Sequence, residues 1–129
     1  MNFHMTENGF VTECAYGELN VSGNDQYGFR PYQLLVSSIA VCSGGTLRKV
    51  LERMRISYQD IIIQADVERN EKAANRIEKI HLHFVILGVE LNETKIEKAL
   101  IVAMKNCSMV QSVKNSIEIT ESFEIEDTK

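Results

Sequence analysis

Two stretches of the chain alternate apolar and polar residues with the period of a half-buried strand. In Asp60 to Glu68 the residues Ile61, Ile63, Ala65 and Val67 share one face, and in Lys79 to Leu87 Ile80, Leu82, Phe84 and Ile86 do the same. Only the polar link Arg69 to Arg76 separates them, so the two strands are predicted to pair antiparallel. A third alternation, Ile117, Ile119, Phe123 and Ile125, predicts a strand over Ile117 to Ile125 that ends in an acidic, fraying tail. Near the N-terminus Asn8-Gly9 lies between short β-prone runs. This dipeptide predicts a hairpin closed by a type I′ turn, whose two central residues need positive φ. The pleat then places Phe3, Met5, Phe10, Thr12, Cys14 and Tyr16 on one face, with Cys14 as a buried strand residue. Gly17 to Phe29, with three glycines and Asn24-Asp25, reads as a loop holding a short strand at Leu19 to Val21.

Two other segments carry the helical period. Pro31 suits the first position of a helix because its missing N–H would have no partner there, and the run it opens extends to Met54. Leu47, Val50, Leu51 and Met54 form an apolar stripe opposite Arg48, Lys49, Glu52 and Arg53, whereas the first half is apolar or small nearly all round. That first half needs burial on most sides, which is hard to provide in so small a chain without a partner. Gly44 and Gly45 each cost about 1 kcal/mol against Ala within a helix, so they point to a close approach or an irregularity beside Cys42. Asn92 is an N-cap candidate for the second helix, with Ile96, Ala99, Leu100, Ala103 and Cys107 on its apolar face. The order ββ(β)αββαβ predicts a single α+β domain over residues 1–129, its helices against an antiparallel-rich sheet.

Composition narrows the function. A chain of 129 residues is long enough for one core without staples. Its 14 Lys and Arg against 18 Asp and Glu give a formal charge of −4, and the cations are scattered, which speaks against nucleic acid as a partner. No run of about 18 apolar residues and no signal-like N-terminus is found, so no membrane is expected and the reading is cytoplasmic. Three cysteines without CxxC spacing fit neither a disulfide scaffold nor a zinc ribbon, and they are expected to rest as thiols.

The remaining chemistry is a pair of helical thiols, Cys42 and Cys107. A peroxide-reducing cysteine must be a thiolate, and the sulfenic acid it forms can be trapped as a disulfide by a second cysteine. Periodicity alone leaves both open as small core residues. His81 and His83 share one strand face and, like His4, match no metal-ligand spacing, so they read as ordinary strand histidines. Tyr27, Phe29 and Tyr32 cluster before the long helix and suit an apolar substrate pocket or plain packing equally well.

The stretch Arg30-Pro-Tyr-Gln-Leu-Leu-Val-Ser-Ser-Ile-Ala-Val-Cys-Ser-Gly-Gly-Thr-Leu-Arg resembles the signature of the OsmC/Ohr family, in which a Pro-x-x-Leu-Leu start leads to a cysteine eleven positions after the proline. Pro31 and Cys42 keep that interval, and Asn106-Cys-Ser-Met-Val-Gln-Ser-Val113 is similar to the family's second cysteine motif. The resemblance spans nearly the whole chain. It implies the OsmC-like fold, an interlocked homodimer with active sites at the interface, and a thiol peroxidase that reduces organic hydroperoxides without a further cofactor. Cys42 would be the peroxidatic cysteine and Cys107 the resolving one, with a dithiol reductant closing the cycle. Better-studied branches use an N-terminal arginine and a glutamate just after the proline to activate the thiol. Here the residues after Pro31 are Tyr32 and Gln33, and no arginine precedes Arg30. Arg30 is therefore the expected cation, and Gln33 a neutral stand-in for the carboxylate. The alternative is a non-catalytic OsmC-like dimer that binds a small molecule or senses redox state.

Overall fold

The computed structural model describes residues 1–129. In chain order the elements are β1 (His4–Met5), β2 (Phe10–Glu13), β3 (Glu18–Val21), α1 (Pro31–Arg53), β4 (Asp60–Asn70), β5 (Arg76–Gly88), α2 (Glu93–Asn106), α3 (Ser108–Val113) and β6 (Glu118–Asp127). They form an α+β structure with two three-stranded sheets, ordered β1-β2-β3 and β4-β5-β6. The chain divides into two compact units, Met1–Ser37 and Ser38–Lys129, with α1 beginning in the first and continuing through the second.

In the first unit β2 pairs antiparallel with both β1 and β3. The expected type I′ turn does not form, since neither Asn8 nor Gly9 has positive φ. The connection closes by Thr6 N–H donating to the Gly9 carbonyl at 2.8 Å. Gly9 is required there for another reason: a Cβ would lie 2.3 Å from the Val21 carbonyl oxygen. Cys14 is also placed differently from the expectation. It follows the end of β2 and is exposed, because the Cys14–Gly17 turn, with reciprocal backbone bonds of 2.9 and 3.1 Å, takes it out of the pleat. Of its expected face only Thr12 is buried, while Phe3, Met5, Phe10 and Tyr16 are exposed in the single chain.

The second unit holds the core. β4 and β5 pair antiparallel from Asp60↔Leu87 to Asn70↔Arg76, with a register shift at Glu68/Arg69. Their turn is closed by Ala74 and Asn75 at φ 57 and 56. Ile80, Leu82, Phe84 and Ile86 are fully buried, as alternation predicts, together with Ile39, Leu47 and Leu51 of α1 and Ile96 and Ala99 of α2. β6 runs parallel to β5, from Lys79↔Glu118 to Gly88↔Asp127, a direction that α2 and α3 make available by carrying the chain back. On its other face His81 bonds Thr120 and Ser122 at 2.6 and 2.8 Å, and His83 bonds Ser122 at 2.6 Å, so both histidines stitch β5 to β6.

α1 is long and apolar enough, by composition, to cross a bilayer, yet Ile39, Leu47 and Leu51 without any exposure mark it as a core helix. Burial of its first half on most sides is not met within one chain. Of the residues up to Thr46 only Ile39, Ser43 and Gly44 are buried, and Val41 is 70% exposed. Gly44 admits β4: a Cβ there would lie 2.6 Å from Ile63 Cδ1, whereas Gly45 faces open space.

Candidate functional site

The two thiols are brought together by a break between two helices. Asn92 caps α2 by accepting from the Lys95 N–H at 3.0 Å, and α2 ends at Asn106. Cys107 was expected on the apolar face of that helix, but its backbone is extended, φ −78 and ψ 111, so it stands between α2 and the short α3. This break leaves the first N–H groups of α3 without partners inside a helix. Cys107 itself provides no side-chain cap for them.

Cys42, half-buried on α1, occupies that position instead. Its Sγ lies 3.6 Å from Ser108 Oγ. The thiol is lowered from 9.0 to about 7, first by the Met109 backbone N–H, then by the Ser108 hydroxyl, the Cys107 thiol and the Ser108 backbone N–H, against an opposing desolvation. Donors aimed at a sulfur stabilise its charged form, so the thiolate is accessible near neutral pH. The groups that do this are neutral hydrogen-bond donors, where the sequence pointed to a cation. Thr46 Oγ1 donates to the Cys42 carbonyl at 2.9 Å, holding the helix turn that carries the thiol.

Cys107 is fully buried. Its Sγ lies 3.4 Å from Ser43 Oγ, and Ser43 in turn donates to the Ile39 carbonyl at 2.7 Å. Each thiol thus has a serine partner, and no disulfide joins them in this reduced state. Neither serine was singled out as functional from sequence. A mid-helix serine in an apolar run is a usable signal, since its hydroxyl must find a partner and the carbonyl one turn back is the nearest.

The other expected site residues lie in the first unit. Arg30 places its guanidinium 4.9 Å from the Tyr32 ring centroid, and its Nε is buried without a hydrogen-bond partner. Gln33 is exposed on the first turn of α1, Tyr32 is half-buried, and Tyr27 and Phe29 are 50% and 59% exposed. In the same unit Phe3, Phe10, Leu19, Val21 and Leu34 line an apolar cavity of about 690 Å³.

Residues 23–122 match the family model described as OsmC-like protein. Protein YhfA of Escherichia coli strain K12 is 26% identical over 119 residues, covering 90% of this chain and 89% of its own. A hypothetical protein from Aquifex aeolicus superposes with a TM-score of 0.88 at 27% identity, covering 99% of this chain and 96% of that one. An organic hydroperoxide resistance protein OsmC from Legionella pneumophila shares the fold, with a TM-score of 0.75 at 18% identity over 95% of this chain and 93% of that one.

Proposed function

The chain belongs to the OsmC-like family, and we propose that it is a thiol-dependent peroxidase for organic hydroperoxides. One observation carries the reading: a half-buried Cys42 with its acidity raised to about 7 by dedicated donors, beside a second thiol fully shielded from solvent. The Cys42 thiolate attacks one peroxide oxygen, the O–O bond breaks, and the departing alkoxide takes a proton to leave as an alcohol. Cys42 is left as a sulfenic acid. Cys107 attacks that sulfur, an S–S bond replaces the S–O bond, and the hydroxide leaves with the Cys107 proton as water. An external dithiol then reduces the disulfide. Arg30 enters as a donor toward a peroxide oxygen and Gln33 as a neutral stand-in for the family's carboxylate, both from the family resemblance alone, and Arg30→Ala should slow the first step. Exposed Phe3, Phe10, Phe29 and Val41 support a homodimer that covers them.

The test is to treat the reduced protein with one equivalent of cumene hydroperoxide and follow thiol titre and peptide mass. Two thiols per chain should disappear into a Cys42–Cys107 disulfide, and Cys42→Ser should consume no peroxide. Turnover of Cys42→Ser at the wild-type rate would falsify the assignment. The apolar cavity of the first unit supports a second reading, a non-catalytic binding protein. Under it the thiol titre stays constant with hydroperoxide, and native mass spectrometry shows a bound apolar molecule.

A further inference from the structure

A serine at a completely buried position has to satisfy its hydroxyl, and Ser43 does so in a way that makes it an acceptor toward its neighbour. The hydroxyl owns one hydrogen. Its 2.7 Å bond to the Ile39 carbonyl commits that hydrogen, because a carbonyl can only accept. In the 3.4 Å contact between Ser43 Oγ and Cys107 Sγ, the thiol is therefore the donor. The thiol's single hydrogen has two acceptors within reach, the Ser43 oxygen and the Cys42 sulfur, and serves one at a time. While Cys42 is a thiolate the hydrogen is drawn to that sulfur and stabilises its charge.

From this arrangement we infer that Ser43 is a positioning residue for the resolving step, the acceptor that turns the Cys107 S–H aside and presents the sulfur lone pairs to oxidised Cys42. The inference rests on the peroxidase reading above. Before oxidation, a Cys107 proton pointing at Cys42 helps the thiolate. Once Cys42 is a sulfenic acid that thiolate is gone, and the Ser43 oxygen is the acceptor already in contact with the Cys107 sulfur. A lone pair on Cys107 then attacks the Cys42 sulfur, the S–O bond breaks, and the Cys107 proton joins the departing hydroxide as water. Ser43 cannot carry the proton away, because its own hydrogen ends at a backbone carbonyl that binds no further proton.

The test compares wild type with Ser43→Ala and Ser43→Thr in single-turnover reactions with cumene hydroperoxide, trapping sulfenic acid with dimedone and following disulfide closure by mass. Ser43→Ala should form sulfenic acid at the wild-type rate and close the disulfide about fivefold more slowly, the size expected for one neutral hydrogen bond. Ser43→Thr, which keeps the hydroxyl, should restore closure. A change confined to the second step separates positioning from a loss of packing, which would slow both. A second readout needs no activity. In a full-length chain carrying Cys14→Ser and Cys42→Ser, the infrared S–H stretch of Cys107 should move to higher frequency on adding Ser43→Ala. Closure at the wild-type rate in Ser43→Ala, or an unmoved S–H band, overturns this inference and leaves the peroxidase reading standing. A wild-type protein that forms no sulfenic acid overturns both.

Discussion

The surroundings of Cys42 and of Cys107 are built from the same parts, a sulfur 3.6 or 3.4 Å from a serine oxygen, and they differ in what the serine has left to donate. Around Cys42 the partners donate: the Met109 N–H, the Ser108 hydroxyl and N–H, and the Cys107 thiol. Around Cys107 the serine accepts, because its hydrogen is already spent on Ile39. Exposure differs as well, half-buried against none. A hydroxyl near a thiol is thus no guide to its reactivity. What matters is where the hydroxyl's single hydrogen points.

Exchanging parts between the two surroundings tests the contrast. The largest effect is expected for Cys107→Ser, which should leave the first oxidation near the wild-type rate and abolish steady-state turnover with a dithiol, sulfenic acid accumulating on Cys42. A disulfide-linked cycle that survived Cys107→Ser would show that the shielded thiol is not the resolving one. Next in size is the pH dependence. Iodoacetamide should alkylate Cys42 with a rate that climbs through a midpoint of about 7, whereas a midpoint near 9.0 would mean that the donors around Cys42 do not act.

Ser108→Ala removes one donor but not the leading one, so the midpoint should rise from about 7 only part of the way toward 9.0. An unchanged midpoint would assign the effect to the backbone N–H groups and the Cys107 thiol. The smallest expected effect is on stability. A folded-state value below the unfolded value means that the unfolded chain binds more protons between about 7 and 9.0, so the contribution of Cys42 is full above 9.0 and lost as pH falls through about 7. The stability advantage of wild type over Cys42→Ser should therefore widen from pH 7 to 9 in urea titrations. A narrowing gap would mean the thiolate is destabilised on folding.

Much of the second unit was legible because burial imposes a period. Ile80, Leu82, Phe84 and Ile86 read as one face and are buried as one face, and Asn92 caps α2 as its residue type suggests. The first unit was less legible. Asn8-Gly9 carries a strong turn signal, but the glycine is fixed by the approach of the Val21 carbonyl and not by positive φ. Cys14 follows the pleat in sequence and leaves it in space, since a turn begins where the alternation suggested one more strand residue. The short α3 leaves no pattern in the sequence because a helix of this length shows less than two full periods.

Sequence by itself determined the α+β class, the core face of β5, the cap of α2 and the two cysteines worth attention, because each depends on local periodicity or on a spaced motif. Only the tertiary structure decided that β6 runs parallel to β5, that α2 breaks at Cys107, and that Cys42 meets the N–H groups of α3. These are relations between residues far apart in the chain. The acidity of Cys42 and the direction of the contact between Ser43 and Cys107 follow from which hydrogen reaches which acceptor across that distance, and no spacing along the sequence encodes it.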